Sequence, residues 1–575
     1  IGKTDYQKKI PKLFNYNAFN VISNRTIAKY GTMSADLQWF SDFNDPVNPD
    51  NKPTNRLEIM LRLLLNKETL LKVVQNFVAY EKDNKGHLIK KIAGQHQIQA
   101  VDAAVEKTIS LFPQKDENRE WVKKIGVIWH TTRSGKSFTM MLYANIISKI
   151  KEFNNPTFVV ITDRVDLDEQ LGGFWRKAGF PYKKPKKAIQ TADSVPDLRE
   201  KLSIPGGKVI FTTIQKFQTT KDEKDAKIKY PIISDRRNII LIVDECHRTQ
   251  YQNLAINLSR ALPNALKIGF SGTPIEKENS TSYVFGENLH TYKIKDAVRD
   301  ERVKEIICES RLVKLHIVNK MLDSEYEEIA KNLDPDAKGI LTGKYSKLKI
   351  LMEDKNRLQT ISENIVFDFL AKQKLWKGKA MLAASTKLAA ARYADIISGI
   401  DGAPKCTCII SDGNEKITDK TSDENKSRYD EVSAHYKTKN EIDQTIEDYI
   451  DPKNDLKLLI VCDKYLTGFD SPITYIMYVD KPLKDHNLIQ AISRTSTLYK
   501  EKPNGIIIDY IGIAENYQRA LGIYNAGEVK GVMDPSAINE IIKKMENIHL
   551  ELINFFVDDI GNGKTYNERK KGPYI

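Results

Sequence analysis

The chain has 575 residues, with 41% hydrophobic and 29% charged residues, and 89 Lys plus Arg against 76 Asp plus Glu for a formal net charge of +13. At about 150 residues per domain the length predicts about four domains or three larger ones, and the composition excludes a disordered or collagen-like chain. No apolar run reaches the roughly 18 to 20 residues that cross a bilayer, and the basic excess suits a polyanionic partner, nucleic acid first. Five cysteines, an odd number too small for a disulfide scaffold, predict a reducing, cytoplasmic setting. Cys406 and Cys408 lack a second ligand pair at zinc-site spacing and read as strand residues.

The sequence opens on Ile1 without a charged-then-apolar leader, so a portion upstream is expected. The repeating unit along the chain is a short β-prone run, a polar loop and an amphipathic stretch, the pattern of parallel α/β layers. GVIWH (126–130), TFVVIT (157–162), KVIFTT (208–213), NIILIVD (238–244) and LKIGFSG (266–272) form one set, each continuous in apolar residues as a strand buried on both faces requires. Residues 320–375 read as helical, with apolar residues at spacings of three and four. A second set follows in KAMLAAS (379–385), CTCIIS (406–411), LKLLIVC (456–462), ITYIMYVD (473–480) and NGIIIDY (504–510). Within it, residues 412–454 are charge-mixed and read as a solvated insertion. The tail from about residue 535 reads as the start of a further helical domain.

Chemistry enters at HTTRSGKS, residues 130–137, between a strand and a helix predicted to begin near Lys136. A loop there turns backbone N–H groups and a helix N-terminus toward phosphate oxygens, which makes Thr131, Thr132, Arg133, Ser134, Gly135, Lys136 and Ser137 candidate ATP ligands. Lys136 can reach the β and γ phosphates, and Ser137 can bind Mg²⁺. NIILIVDECH (238–247) sets Asp244 and Glu245 at the carboxyl end of a buried strand. In hydrolysis at such a loop, Asp244 holds Mg²⁺ while Glu245 orients and deprotonates the attacking water.

DECH together with GFSGTP (269–274), TTIQKFQ (212–218), VCDKYLTGFDSP (461–472) and HNLIQAISRTST (486–497) resembles a superfamily-two helicase or translocase motor. The wording is closer still to one branch: IWHTT, DECHRTQ, GFSGTPI, LTGFDSP and LIQAISRT resemble the motor (R) subunit of type I restriction enzymes. The resemblance implies two RecA-like parallel-sheet domains, at 61–300 and 301–515 with a helical linker. It also implies a C-terminal remnant of a nuclease domain at 1–60, where YQKKIPKLFNYNAFNVISN (6–24) is similar to the segment closing that domain, and a helical domain beginning at 516–575. By the same resemblance Gly468 and Asp470 line the ATP cleft, Gln490 and Arg494 complete it from the second sheet, Gln97 reads the adenine, and the Ser271-Gly272-Thr273 turn couples the nucleotide to nucleic acid. Arg164, Thr213, Gln215, Ser385, Thr386 and Thr467 are the implied DNA contacts, made to backbone phosphates rather than to bases.

The implied activity is ATP- and Mg²⁺-dependent pulling of duplex DNA before distant cleavage, in a complex with methyltransferase and specificity subunits. The nuclease of such enzymes uses an upstream Asp and a Glu-x-Lys strand. The strings Glu353-Asp354-Lys355 and Glu568-Arg569-Lys570 read as chance matches, so the nuclease centre is expected to lie before residue 1. Two positions depart from the pattern: Arg133 replaces a phosphate-loop glycine, and Thr497 stands where the sixth motif ends in a second arginine. These departures leave open a hydrolysis-impaired DNA-binding scaffold, and a third reading is another superfamily-two helicase or remodeller.

Overall fold

The computed structural model describes residues 9–14, 16–24, 27–45, 56–82, 87–112, 114, 122–162, 172–178, 189–220, 229–246, 251–272, 284–311, 351–411, 423–462, 465–466, 471–483 and 485–513. Near the N-terminus, β1 (Asn20–Ser23), β2 (Ala28–Gly31) and β3 (Ser41–Asp42) form an antiparallel sheet, followed by the hairpin β4 (Val78–Lys82) and β5 (Leu88–Ile92). This region packs onto the first large domain: Tyr30, fully buried, donates its hydroxyl to the Ala93 carbonyl at 2.9 Å and shares one apolar core with Ile98, Ile128 and Met140.

The first large sheet contains β6 (Lys124–His130), β7 (Thr157–Thr162), β8 (Ile189–Thr191), β9 (Val209–Thr213), β10 (Ile239–Val243), β11 (Leu266–Ser271) and β12 (Asn288–Tyr292), in the order β12-β6-β11-β10-β7-β9-β8. Every pairing is parallel. β7, β9, β10 and β11 are buried at every position. Successive side chains feed two cores: Phe158, Val160, Ile240 and Ile242 on one face, Val159, Ile161, Leu241 and Val243 on the other. That alternation into two apolar layers is why the strands read as unbroken hydrophobic runs.

The second sheet contains β13 (Ile306–Ser310), β14 (Lys379–Ala384), β15 (Cys406–Ser411), β16 (Tyr436–Lys437), β17 (Leu458–Val461), β18 (Thr474–Asp480) and β19 (Gly505–Asp509), in the order β13-β19-β18-β14-β17-β15-β16, again wholly parallel. The helix Lys355–Gln373 lies against it, capped by Asp354, whose side chain accepts from the Arg357 N–H. Arg357 forms a two-pronged ion pair with fully buried Asp480, one prong at 2.8 Å, and Tyr393 donates to the same carboxylate at 2.7 Å. Arg311, just past β13, pairs with Asp368 of the same helix, and Tyr478 donates to Asp368 at 2.8 Å.

Several elements depart from the sequence expectations. Edge strands β8, β12 and β16 have little apolar signal of their own, β13 has only the three apolar residues Ile306–Cys308, and all four join their sheets through neighbours in space. Part of the stretch expected to be a solvated insertion is folded onto the second sheet: β16 pairs with β15, and the helix Lys439–Ile450 buries Ile442 and Tyr449. The Tyr449 hydroxyl reaches the Ala380 carbonyl at 3.0 Å, so this segment closes one face of the sheet. Of the helical stretch expected at 320–375, only the part from 351 onward falls among the described residues, and the tail from 514 lies outside them.

Candidate active site

The phosphate-loop candidate spans the end of β6 and the start of the helix Lys136–Ile147. Gly135 caps that helix at φ 88°, ψ 31°, a left-handed conformation that glycine adopts without steric cost, and no side chain caps the helix N-terminus. The first N–H groups of the helix are therefore left for an anion, and the helix dipole favours negative charge there. Thr131 is tied by its N–H to the Tyr292 carbonyl at 2.9 Å, and Ser134 donates its hydroxyl to the Thr131 carbonyl at 2.7 Å. Ser137 is exposed in the first turn. Arg133, half-buried, sits at φ 69°. The position is left-handed, and an arginine there costs about 1 to 2 kcal/mol that a glycine would not.

β10 delivers the acids. The Asp244 N–H continues the ladder to the Ile161 carbonyl at 2.9 Å, then Glu245 turns at φ 48° and Cys246 rejoins β11 through the Phe270 carbonyl at 3.1 Å. This kink tucks Glu245 into the cleft, 6% exposed, with one carboxylate oxygen 3.9 Å from Lys136 Nζ and the other accepting the Gly272 N–H at 3.3 Å. Lys136 Nζ also donates to the His130 carbonyl at 3.3 Å. A side chain at Gly272 would displace Lys136: a Cβ would lie 2.8 Å from Lys136 Nζ and 3.1 Å from Thr132 Cγ2. Backbone strain at Arg133 and Glu245 is thus concentrated where ligand chemistry would occur, as is common at functional sites.

The second sheet supplies the facing wall. Gln490, on the helix Asp485–Ile492, points its amide nitrogen at Glu245 Oε1 across 3.5 Å, joining residues 245 positions apart. Arg494, 7% exposed, donates through Nε to the Leu466 carbonyl at 3.2 Å. The walls also meet through a β-bridge between Val303 and Thr497, through Lys304 N–H to the Ser496 carbonyl at 2.6 Å, and through Trp129, which packs against the second sheet's core.

The other expected residues are distributed differently. Gln97 is 6% exposed in the helix Gln95–Leu111. Its amide oxygen accepts the Gly94 N–H at 2.9 Å and its nitrogen donates to the Gly135 carbonyl at 3.0 Å, so it braces the phosphate loop directly. Thr213 is buried at the end of β9 and Gln215 is exposed one turn beyond. Ser385 and Thr386 follow β14, and Thr386 caps the helix Lys387–Ser398 by accepting the Ala389 N–H at 3.1 Å. Arg164, Thr467, Gly468, Asp470 and Thr273 lie outside the described residues.

Sequence reasoning missed the layer beneath the loop. His96 donates from Nε2 to the Ser134 carbonyl at 2.9 Å and stacks on Tyr292 with ring centroids 4.0 Å apart, while His130 Nε2 lies 2.9 Å from His290 Nδ1. Burial pulls His96 down to about 3 and His290 to about 4, and holds His130 well below its usual value. All three rings are neutral at ordinary pH and add no charge beside Lys136. Isolated histidines carry no periodic signal. Gly272, by contrast, was marked by GFSGTP.

The donor set fits a nucleoside triphosphate with Mg²⁺: an uncapped helix N-terminus, a lysine, a hydroxyl in the first turn and a buried carboxylate with an acid beside it. Residues 96–339 match the SWI2/SNF2 ATPase family, and residues 376–512 match type I restriction enzyme subunit R domain 3. The chain is 34% identical over 573 residues to a Methanocaldococcus jannaschii protein named, as a conjecture, the type I restriction enzyme MjaIXP endonuclease subunit, covering 96% of this chain and 52% of that protein. It is 34% identical over 586 residues to the type I restriction enzyme HindI endonuclease subunit of Haemophilus influenzae, covering 98% of this chain and 53% of the relative. It therefore spans about half the length of the curated relatives it matches. Among solved structures, the DNA-bound type ISP restriction-modification enzyme LlaBIII aligns with 75% of this chain and 29% of its own at 12% identity, with a TM-score of 0.46. With an ATPase domain and an R-subunit domain in sequence, the chain belongs to the type I restriction enzyme R-subunit family.

Proposed function

We propose that this chain is the motor part of a type I restriction endonuclease, hydrolysing ATP to pull duplex DNA before cleavage at a distance. The observation that carries the reading is the reach of Gln490 from the second sheet to Glu245 beside Lys136 on the first. A hydrolytic carboxylate held between two domains is sensitive to their closure, which is how turnover can be coupled to movement along DNA. Lys136 and the loop N–H groups bind the β and γ phosphates. Ser137 and Asp244 would hold Mg²⁺, which neutralises phosphate charge. Glu245 takes a proton from water as the water oxygen attacks the γ phosphorus. The bond to the β–γ bridging oxygen breaks, giving ADP and phosphate. Gln490 and Arg494 orient the water and the terminal phosphate from the opposite wall.

Thr213, Gln215, Ser385 and Thr386, with Arg164 and Thr467, are the proposed contacts to the DNA backbone, and a salt-dependent affinity is expected of such contacts. Methyltransferase and specificity subunits are the proposed partners, with recognition of the DNA sequence left to them, and the cytoplasm is the proposed compartment. Glu353 is buried and ion-paired with Arg428, and Asp354 caps a helix, so the Glu-Asp-Lys string has structural duties. The purified chain is expected to leave DNA intact with Mg²⁺, and cutting would refute the structural reading of that string.

The test is ATP turnover with linear duplex DNA, with RNA and with neither, beside Glu245→Gln. Turnover raised by duplex DNA and abolished by the substitution supports the motor. Stimulation by RNA alone overturns it in favour of an RNA remodeller. ATP binding without turnover under any condition favours the scaffold reading, which the strained Arg133 and the neutral Thr497 specifically support.

A further inference from the structure

The hydrolytic scheme leaves unused the polar chain that runs beneath the phosphate loop. Tyr292, buried at the end of β12, holds that loop at two points. Its carbonyl accepts the Thr131 N–H at 2.9 Å, and its ring lies flat on His96, with centroids 4.0 Å apart and planes 8° from parallel. His96 Nε2 lies 2.9 Å from the Ser134 carbonyl, and because a carbonyl can only accept, Nε2 carries the proton. The Ser134 hydroxyl donates to the Thr131 carbonyl at 2.7 Å, so residues 131–134 are tied to each other and, at both ends, to one tyrosine. The Tyr292 hydroxyl donates in turn to Asp300 Oδ2 at 3.0 Å, and Asp300 Oδ1 accepts from Arg299 Nε at 2.9 Å and from Asn44 Nδ2 at 3.3 Å.

Asp300 stands at a corner where three parts of the molecule meet. The backbone of Asn44, just past β3, exchanges two hydrogen bonds with the Gln95 side chain, at 2.8 and 2.7 Å, where the helix carrying His96 begins. Glu301 turns at φ 53° and pairs with Lys29 of β2 at 2.5 Å. Val303 then bridges Thr497, and the Lys304 N–H donates to the Ser496 carbonyl at 2.6 Å on the second domain.

We propose that Asp300 is a positioning residue for the nucleotide: by holding the Tyr292 hydroxyl it fixes Tyr292 and His96, and through them the 131–134 span of the phosphate loop. This rests on the nucleotide-binding reading above. A carboxylate is a strong acceptor for a hydroxyl, and a buried donor that loses its partner finds no water to replace it. Tyr292 therefore keeps a single position only while Asp300 is in place. The Thr131 bond and the His96 stack belong to the same residue, so a displaced Tyr292 shifts both ends of the span together. The loop N–H groups meet the β and γ phosphates in the ground state and in the transition state alike, so a shifted loop weakens binding more than it slows the chemical step. The loop is thus held from the corner that the N-terminal sheet and the second domain share.

The experiment titrates the whole chain with the non-hydrolysable β,γ-imido analogue of ATP and Mg²⁺, and measures ATPase KM and kcat, for Asp300→Ala, Tyr292→Phe, His96→Leu and the Asp300→Ala/Tyr292→Phe pair. Tyr292→Phe keeps the ring, its stack on His96 and its carbonyl, so misfolding is not the expected cause of any loss. Each single change is expected to weaken analogue binding by about five- to tenfold, with KM for ATP rising by the same factor and kcat within about twofold of the parent. The double variant is expected to be no weaker than either of its singles, because both remove one and the same hydrogen bond. Effects that multiply in the double variant overturn the proposal, as does unchanged analogue affinity in Tyr292→Phe or in His96→Leu. A fall in kcat with KM and analogue affinity unchanged marks a merely structural role and overturns it too. A parent that binds the analogue but does not hydrolyse ATP sinks the motor reading, while the binding comparison still decides the role of Asp300. A parent that does not bind the analogue overturns both.

Discussion

On the first sheet the groups proposed to face the nucleotide are placed by the backbone. Arg133, Gly135 and Glu245 all sit at positive φ, and a Cβ at Gly272 would crowd Lys136 Nζ at 2.8 Å. On the second sheet the corresponding groups, Gln490 and Arg494, are side chains on a regular helix and its C-terminal turn, and the domain behind them is held by buried ion pairs such as Arg357 with Asp480. The first wall stores local strain at Arg133 and Glu245, where phosphate binding is proposed. The second uses ordinary local geometry and is held by tertiary polar contacts. The contrast suits a site in which one wall binds and the other reports closure.

Four substitutions can break or sharpen that contrast. Glu245→Gln removes the proton acceptor shared by both walls and should lower the ATPase rate by about 10² to 10⁴, with nucleotide binding nearly unchanged in an equilibrium titration. A drop confined to binding would assign Glu245 to the binding wall instead. Asp480→Asn leaves Arg357 buried without its counter-charge, which typically costs about 3 to 5 kcal/mol. Urea unfolding followed by circular dichroism should move earlier in the transition of the second sheet alone, and a uniform shift would contradict separate support for the two walls.

Gly272→Ala should raise the KM for ATP about tenfold, roughly 1.4 kcal/mol, because Lys136 must shift to admit the methyl group. A lower kcat with unchanged KM would place the clash on Glu245 instead. Lys502→Met should have the smallest effect. Burial lowers Lys502 from 10.5 to about 7, so between those values the unfolded chain binds the additional proton and stability rises with pH. The substitution should flatten that rise in melting temperature from pH 7 to 10, and an unchanged slope would show that another group causes it.

Much of the architecture was legible because its signal is local. Strands buried on both faces must be apolar throughout, so β7, β9, β10, β11, β14, β17, β18 and β19 stand out as hydrophobic runs. The edge strands were not legible, since a short strand with one free side needs little hydrophobicity of its own. The folded part of the 412–454 segment was hidden for a related reason: Ile442 and Tyr449 anchor an otherwise polar helix, and two anchors leave a weak periodic signal.

The same division runs through the site. The sequence by itself located the candidate residues of the first wall, because a strand, a short loop and a helix start are contiguous there, with Lys136 and Ser137 at the helix start and Asp244 and Glu245 at the end of a strand that an apolar run marks. It also singled out Arg133 and Thr497 as departures. Only the tertiary structure decided that Gln97 braces Gly135, that neutral histidines lie under the loop, that Arg133 is left-handed, and that Gln490 meets Glu245. The physical reason is range: hydrophobic patterning and turn chemistry act over a few residues, whereas a contact between positions 245 residues apart exists only once two separately packed sheets have been brought face to face.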